Sequence, residues 1–146
     1  MSSYYPVHPI VGVGTVILKK DEVLIIQRAA DPDKGLWSVP GGKVDYGEPC
    51  EIAAAREVEE ETQLKVDIND LKLVDIVNKI IYDKKGKIKF HFVIVDYVTH
   101  KFKGEVTPSD DALQAKWVKF QDLNKYEYPQ TIKELFHKLG IWIWSI

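Results

Sequence analysis

Three glutamates at helical spacing are the residues of this chain whose types and positions are best suited to chemistry. Glu57, Glu60 and Glu61 follow a glycine turn in a helix-forming run, and at about 100° per residue they fall within an arc of roughly 100° on one helix face. Like charges three and four residues apart repel each other by roughly 0.2–0.5 kcal/mol per pair in an isolated helix. A divalent cation would remove that repulsion, because Mg²⁺ and Mn²⁺ prefer carboxylate oxygen ligands. The pattern therefore predicts a metal site and favours a metal-assisted hydrolase.

The spacing of the polar residues around these glutamates resembles the signature of the Nudix hydrolase family. The matching polar positions are Gly42, Glu48, Arg56, Glu57, Glu60 and Glu61. Leu64 closes the pattern, and Gln63 departs from it, because Gln63 stands where the family has its last glycine. A match of this length at fixed gaps is far more specific than a lone glycine motif.

The resemblance implies which residues hold a metal ion. Glu57, Glu60 and Glu61 are expected to form the metal and base cluster, with Mg²⁺ or Mn²⁺ as the cofactor. Glu60 and Glu61 are assigned mainly to the metal, and Glu57 to the metal or to activation of a water molecule. The backbone carbonyl of Gly41 is the expected additional ligand, since a glycine lets the chain approach an ion closely.

The resemblance also implies a supporting ion pair and leaves the general base open. Glu48 and Arg56 are expected to pair, which would tie the loop to the helix and hold the carboxylates in place. Arg56 is counted with Glu57 and Glu60 as catalytic, because an arginine can stabilise developing charge. The base comes either from the helix, as Glu57, or from a later loop, where Asp110 and Asp111 are the downstream carboxylates.

The expected reaction is hydrolysis of a diphosphate linkage in a nucleoside diphosphate derivative. Members with a similar layout act on ADP-ribose and release AMP and ribose 5-phosphate, which makes ADP-ribose the first expectation. Arg28, just after a strand, is in a position to reach a substrate phosphate, and Tyr82 lies near a tyrosine that marks some dinucleoside polyphosphate hydrolases. Nucleoside triphosphates and dinucleoside polyphosphates are the alternative substrates. A nucleotide-sensing or RNA-binding module without turnover is the non-enzyme alternative.

Composition narrows the class of protein. The chain has 146 residues, 45% of them hydrophobic and 29% charged, which is the balance of one soluble globular domain spanning residues 1–146. Its formal net charge of −2 gives no general nucleic-acid or membrane signature. The single cysteine, Cys50, and the lack of a signal-like N-terminus make the cytoplasm the expected location. Dimers are common in the family, so a homodimer is the assembly that the resemblance suggests.

The elements that must position the site follow from hydrophobic patterning. The predicted strands are residues 11–18, 23–27, 71–82, 89–98 and 115–120, with a short glycine-bearing segment at 39–44. A helix is predicted to begin at Pro49 and to bury Ala54, Ala55 and Val58 with its acids on the opposite side. A second helix is predicted around residues 132–139, with Gly140 as its stop. The resemblance implies that these elements form an α/β/α sandwich with a mixed β-sheet.

Gln63 carries a separate structural prediction. A glycine after a helix commonly takes a left-handed conformation that costs most other residues roughly 1 kcal/mol. Gln63 is therefore expected either to adopt that strained conformation or to let the helix end in another way. Because Gln63 is not a carboxylate, its presence should not abolish catalysis.

Overall fold

The computed structural model describes residues 2–107 and 114–142, which form a seven-stranded sheet and two α-helices. The elements in chain order are β1 (Ile10–Lys19), β2 (Glu22–Gln27), β3 (Trp37–Ser38), β4 (Gly41–Lys43), α1 (Cys50–Thr62), β5 (Lys72–Tyr82), β6 (Ile88–Thr99), β7 (Ala115–Lys119) and α2 (Gln130–Lys138). The predicted strands and helices are confirmed, with ends that shift by one or two residues. The segment at 39–44 is resolved into β4, preceded by the short strand β3.

The sheet is mixed, as predicted. Its strand order is β3-β2-β1-β6-β5, with β4 paired to β1 and β7 paired to β2. Strands β1 and β6 run parallel, with Val13 opposite Val95, while every other pairing is antiparallel. The parallel contact places Ile94 and Asp96 at the centre of β6 beside Gly12 and Gly14 of β1.

The helices lie on opposite faces of this sheet. On one face, Val13 packs with Ala53 and Ala54 of α1. On the other, Val16 packs with Leu135 and Phe136 of α2. Because successive strand residues point to opposite faces, the odd and even positions of β1 serve the two helices, and the α/β/α sandwich is confirmed. None of the helices in the described part of the chain is long and apolar enough to cross a bilayer.

Helix α1 has local signals at both ends. Pro49 is its N-cap in an extended conformation, one residue before the helix proper, so the predicted start at Pro49 is early by a single position. At the other end Gln63 adopts the left-handed conformation, with φ 69° and ψ 4°, and its N–H donates to the carbonyl of Glu59 at 2.9 Å. The first of the two alternatives predicted for Gln63 is therefore confirmed.

The predicted orientation of α1 is wrong in one respect. The helix buries Ala53, Ala54, Val58 and Thr62, whereas Ala55 is only half-buried. The acidic face does not lie opposite the buried face, because only 15% of the Glu57 side chain is exposed and Oε2 of Glu61 is fully buried. The physical reason is the strand below the helix, since Gly41 and Gly42 of β4 leave room for carboxylates between helix and sheet.

Candidate active site

The two glycines of β4 set the position of the acidic helix. A methyl group on Gly42 would lie 2.4 Å from Cδ of Glu57, and one on Gly41 would lie 2.2 Å from the carbonyl oxygen of Val13. Gly41 pairs with Gly14 of β1, which holds β4 in the sheet. The side of β4 that faces α1 accommodates Glu57 at Gly42. The absence of side chains at both positions thus brings backbone and carboxylates close together.

Arg56 joins the loop before the helix to the helix itself. Its Nε and Nη2 donate to the two carboxylate oxygens of Glu48 at 2.8 and 2.9 Å, and Nη2 also donates to the carbonyl of Lys43 at 3.1 Å. Its Nη1 donates to Glu57 at 2.9 Å and to Glu60 at 3.2 Å. The predicted Glu48–Arg56 ion pair is present, and its forked geometry is the strongest that an arginine can make with a carboxylate.

The charge network affects both partners of this pair. Hydrogen bonds from Arg56 and from the backbone of Asp45 lower the pKa of Glu48 to about 2. The hydrogen bond to Glu48 also raises the pKa of Arg56, so the guanidinium stays charged. The pair is therefore ionised at any pH at which the protein works, and it can hold the neighbouring carboxylates steadily.

Glu57 and Glu61 are held in a different electrostatic environment from Glu48. Burial raises the pKa of Glu57, and hydrogen bonding to Arg56 opposes the rise. Burial and the charge of Glu57 raise the pKa of Glu61 to about 8, against the opposing effects of the Gly41 backbone and Arg28. Oε2 of Glu61 is buried without a hydrogen-bond partner among the described residues. A buried, unpartnered carboxylate oxygen beside a second carboxylate fits a divalent cation, which would stabilise both charges.

These carboxylates are not arranged as a finished ligand shell. Within residues 2–107 and 114–142, no three acidic, histidine or cysteine side chains converge as a ready metal site. Nη1 of Arg56 contacts both Glu57 and Glu60, and it holds those two carboxylates on its own side. Glu60, whose side chain is 58% exposed, is held near Glu57 by this shared donor and could join Glu57 and Glu61 in binding a cation.

A cavity of about 530 Å³ opens beside the helix. Its volume lies within the range of small-molecule sites, roughly 300–1,000 Å³. One end is bounded by the acidic helix and β4, through Gly41, Gly42, Glu57, Glu60 and Glu61. The wall formed by β1 and β6 contributes Gly12, Gly14, Phe92, Ile94 and Asp96. The cavity thus joins a strongly acidic end to a largely apolar wall.

Basic side chains also line the cavity. Arg28 is half-buried and donates from Nε to the carbonyl of Pro32 at 2.7 Å. Burial lowers the pKa of Arg28, while Asp33, Glu61 and Asp31 oppose the change. Lys79 of β5 forms an ion pair with Asp33 at the same cavity. These cations can offset the charge of a bound phosphate group.

The structure brings most of the predicted site residues together. Gly41, Arg28, Glu57, Glu60 and Glu61 line the cavity. Arg56 and Glu48 lie directly behind these carboxylates.

Three predicted residues are not placed at the cavity. Tyr82 lies at the end of β5 with 60% of its surface exposed, and it is not among the cavity residues. Asp110 and Asp111 lie outside the described residues. Their expected role as an alternative base thus stays a prediction.

Sequence reasoning missed four charged residues of the cavity, Asp31, Lys43, Lys79 and Asp96. Asp96 lies in β6 and Lys79 in β5, and both point to the same face of the sheet as the cavity. Asp96 had a detectable signal, because it is an acid within the apolar run Val93–Val98. Lys79 had none, since alternating polar residues are ordinary in a strand with one solvated face.

Comparison with known proteins places this geometry in a family. The NUDIX domain model matches residues 8–139. An ADP-ribose pyrophosphatase of Methanocaldococcus jannaschii is 31% identical over 129 residues, which cover 87% of this chain and 73% of that protein. An RNA pyrophosphohydrolase of Pelagibacter ubique is 46% identical over 54 residues, covering 37% of this chain and 34% of that protein.

A solved structure agrees with the sequence matches. The MutT NUDIX hydrolase of Burkholderia pseudomallei is 30% identical, with a TM-score of 0.78 over 90% of this chain and 98% of that one. The names of these relatives state different substrates, so the comparisons identify the family but not the substrate. The matched segment of residues 8–139 contains the acidic helix, the strands β1 and β4, and all lining residues of the cavity except Ser3. The chain belongs to the Nudix hydrolase family.

Proposed function

We propose that the chain hydrolyses the diphosphate linkage of a nucleoside diphosphate derivative, with ADP-ribose as substrate and AMP and ribose 5-phosphate as products. The observation that carries the proposal is a cavity of about 530 Å³ that joins the acidic helix to a largely apolar wall. The 31% identical relative named an ADP-ribose pyrophosphatase, which this chain matches over most of its length, supports the choice of ADP-ribose.

The acidic end would hold a divalent cation. Glu57, Glu60 and Glu61 would supply carboxylate oxygens and Gly41 its carbonyl, and Mg²⁺ or Mn²⁺ suits such ligands. When bound, the cation would polarise a phosphoryl oxygen and lower the pKa of a coordinated water molecule. The buried and unpartnered Oε2 of Glu61 is the feature that fits this role best.

The side chains around the cation site have separable roles. Arg56 keeps Glu57 oriented through its 2.9 Å hydrogen bond and is itself fixed by Glu48. Glu57, whose pKa is raised by burial, would accept a proton from the attacking water. Arg28 would stabilise negative charge on the diphosphate, because it is a half-buried cation at the same cavity.

Product analysis tests the proposal. ADP-ribose, a dinucleoside polyphosphate and ATP are incubated with the protein, with and without Mg²⁺ or Mn²⁺, and the products are identified by mass spectrometry. Metal-dependent AMP and ribose 5-phosphate are expected. AMP and pyrophosphate from ATP, with ADP-ribose left intact, would instead assign the protein to triphosphate hydrolysis. Metal binding without turnover of any of these nucleotides would contradict the proposed reaction.

A matched pair of variants tests the ligand assignment. Glu61→Gln removes the charge of the buried carboxylate, and we expect its turnover to fall at least 100-fold, on the order of the loss for a damaged metal site. Glu59→Gln makes the same chemical change at an exposed position of the same helix, where the side chain pairs with Lys65 at 3.9 Å. Its turnover should stay unchanged. Equal losses in both variants would rule out a specific role for Glu61.

A further inference from the structure

Asp96 is a carboxylate at the cavity wall that the reaction described above does not use. It lies in β6, only 4% of its surface is exposed, and it lines the cavity. It lies beside Gly14 of β1 in the parallel pair of strands. A methyl group on Gly14 would lie 2.6 Å from Oδ1 of Asp96, so the glycine leaves this carboxyl uncovered.

The protein supplies little to stabilise this carboxyl. Its pKa is raised to about 7 by burial and by the negative charge of Asp75, which is opposite it in the β5–β6 pair. Among the residues that the structure describes, no hydrogen-bond donor or cation opposes these two effects at Asp96. A buried carboxyl without a donor is costly. Such a group is characteristic of a site where a ligand completes the hydrogen bond.

The surroundings of Asp96 indicate which part of a nucleotide it faces. Its neighbours on the same face of the sheet are Phe92 and Ile94, which are apolar and partly exposed at the cavity, and Val39 lies beside Gly14. A carboxyl repels phosphate, so the phosphates belong at the end with Arg28. The apolar wall suits a planar base, and a carboxyl within it suits an uncharged N–H or O–H donor.

We propose that Asp96 determines substrate specificity by accepting a hydrogen bond from the nucleoside part of the substrate. The expected donor is the exocyclic amino group of the base, and the ribose hydroxyls are the other source of the same chemistry. The inference rests on the proposed function, since it takes an adenine nucleotide as the ligand. Asp96 would act on binding, whereas the residues of α1 act on the reaction.

Binding of AMP without added metal tests the inference independently of turnover. Calorimetry gives the Kd of three probes: AMP, the purine nucleotide that lacks the 6-amino group, and 2′,3′-dideoxy-AMP. Removing a hydrogen bond to a carboxyl should weaken binding about tenfold or more. The wild type should therefore bind the purine nucleotide about tenfold more weakly than AMP. Asp96→Ala should bind AMP and the purine nucleotide equally, because its acceptor is gone.

Two further variants complete the test, one at Asp96 and one at a control position. Asp96→Asn keeps the side-chain shape, and it should also lose affinity for AMP because the charged acceptor is replaced. Asp75→Asn removes a carboxylate from the neighbouring strand, where Asp75 pairs with Lys138 at 3.3 Å and does not line the cavity. This variant should keep the wild-type preference for AMP. Both Asp96 variants should remain folded, since they remove a buried charge from a wall that already faces open space.

Each outcome supports or overturns the assignment. A loss of discrimination at the 6-amino group in Asp96→Ala supports the base as donor, and a loss at the ribose hydroxyls supports the ribose. The proposal is overturned if the loss of affinity from removing the donor group of the nucleotide and the loss from Asp96→Ala simply add, because the two groups then do not interact. Absence of AMP binding by the wild type would also overturn it. If the discrimination is found but ADP-ribose is not cleaved, the proposed reaction fails while the role of Asp96 stands.

Discussion

Arg56 shows how a single side chain can organise a cluster of carboxylates. Its guanidinium contacts a loop carboxylate, the carbonyl of Lys43 at the end of β4 and two helix carboxylates within 3.2 Å. A lysine has one point charge and could not make these contacts together, because the planar fork of arginine spreads its donors over several directions. Arg56 contacts Glu57 without lining the cavity itself, which is the basis for proposing that it positions this carboxylate.

Gln63 adopts a strained backbone conformation that a glycine would adopt without strain. Its left-handed backbone, with φ 69°, costs a residue with a side chain roughly 1–2 kcal/mol. Gln63→Gly removes that strain, although a glycine also makes the unfolded chain more flexible. We therefore expect the free energy of unfolding to rise by about 0.5–1 kcal/mol, as measured by urea denaturation.

A neighbouring position provides the control for Gln63. Lys65 lies just beyond the helix and is not among the residues with positive φ. Lys65→Gly should lower the free energy of unfolding or leave it unchanged, since no strain is relieved there. If the free energy of unfolding is no higher for Gln63→Gly than for Lys65→Gly, backbone strain at Gln63 does not limit the stability of the protein.

At the scale of elements, the short strand β4 has two glycines with different tasks. A methyl group on Gly42 would meet the movable end of the Glu57 side chain, whereas one on Gly41 would meet backbone atoms of β1. We expect Gly42→Ala to displace Glu57 and to lower turnover about tenfold or more, with little loss of stability. Gly41→Ala should lower the free energy of unfolding by about 1–3 kcal/mol, because the β1–β4 pairing must shift.

The two glycine variants serve as controls for each other. Turnover and urea denaturation are measured for both, and the turnover of Gly41→Ala is compared only at temperatures where it is folded. If Gly42→Ala lowers the free energy of unfolding as strongly as Gly41→Ala, the different tasks assigned to the two glycines are wrong. The space at Gly42 would then be needed for packing of α1 and not for its carboxylates.

The elements that could be predicted from the sequence are those with local causes. Pro49 at the start of α1 and the left-handed Gln63 at its end depend on neighbouring residues alone. The inward direction of Glu57 could not be predicted from helix periodicity, because it depends on β4 pairing with β1 beneath the helix. Asp96 was missed for a similar reason, since only the parallel pairing of β1 with β6 brings it next to Gly14.

For the molecule as a whole, the cavity lowers the stability of the fold because its walls bury acidic groups. Glu61 and Asp96 both have raised pKa values, and burial is the first cause in each case. Groups of this kind are commonly retained where a ligand needs them, at the expense of stability. The sheet core formed around Val16 and Ile25 must therefore supply the stability that the cavity does not.

The pH dependence of stability tests this balance at Asp96. Its pKa of about 7 in the folded protein lies above the ordinary value for aspartate, near 3.9. Below pH 4 the carboxyl is protonated in the folded and the unfolded chain, and it costs nothing. Between pH 4 and pH 7 only the unfolded chain releases the proton, so the stability of the wild type falls relative to that of Asp96→Asn. Above pH 7 both states are ionised and the difference should stay constant.

Urea denaturation across this pH range, with a chelator present, measures the difference between Asp96→Asn and the wild type. Its rise should not exceed about 1.4 kcal/mol per pH unit, which is the limit for a single proton. All other groups are common to both proteins, so their contributions largely cancel. Asp21→Asn, in the exposed turn between β1 and β2, makes the same chemical change outside the cavity and is the control. A difference for Asp96→Asn that does not change with pH would mean that the carboxyl is not held out of water. The cavity wall would then have no buried acid with which to recognise a nucleoside.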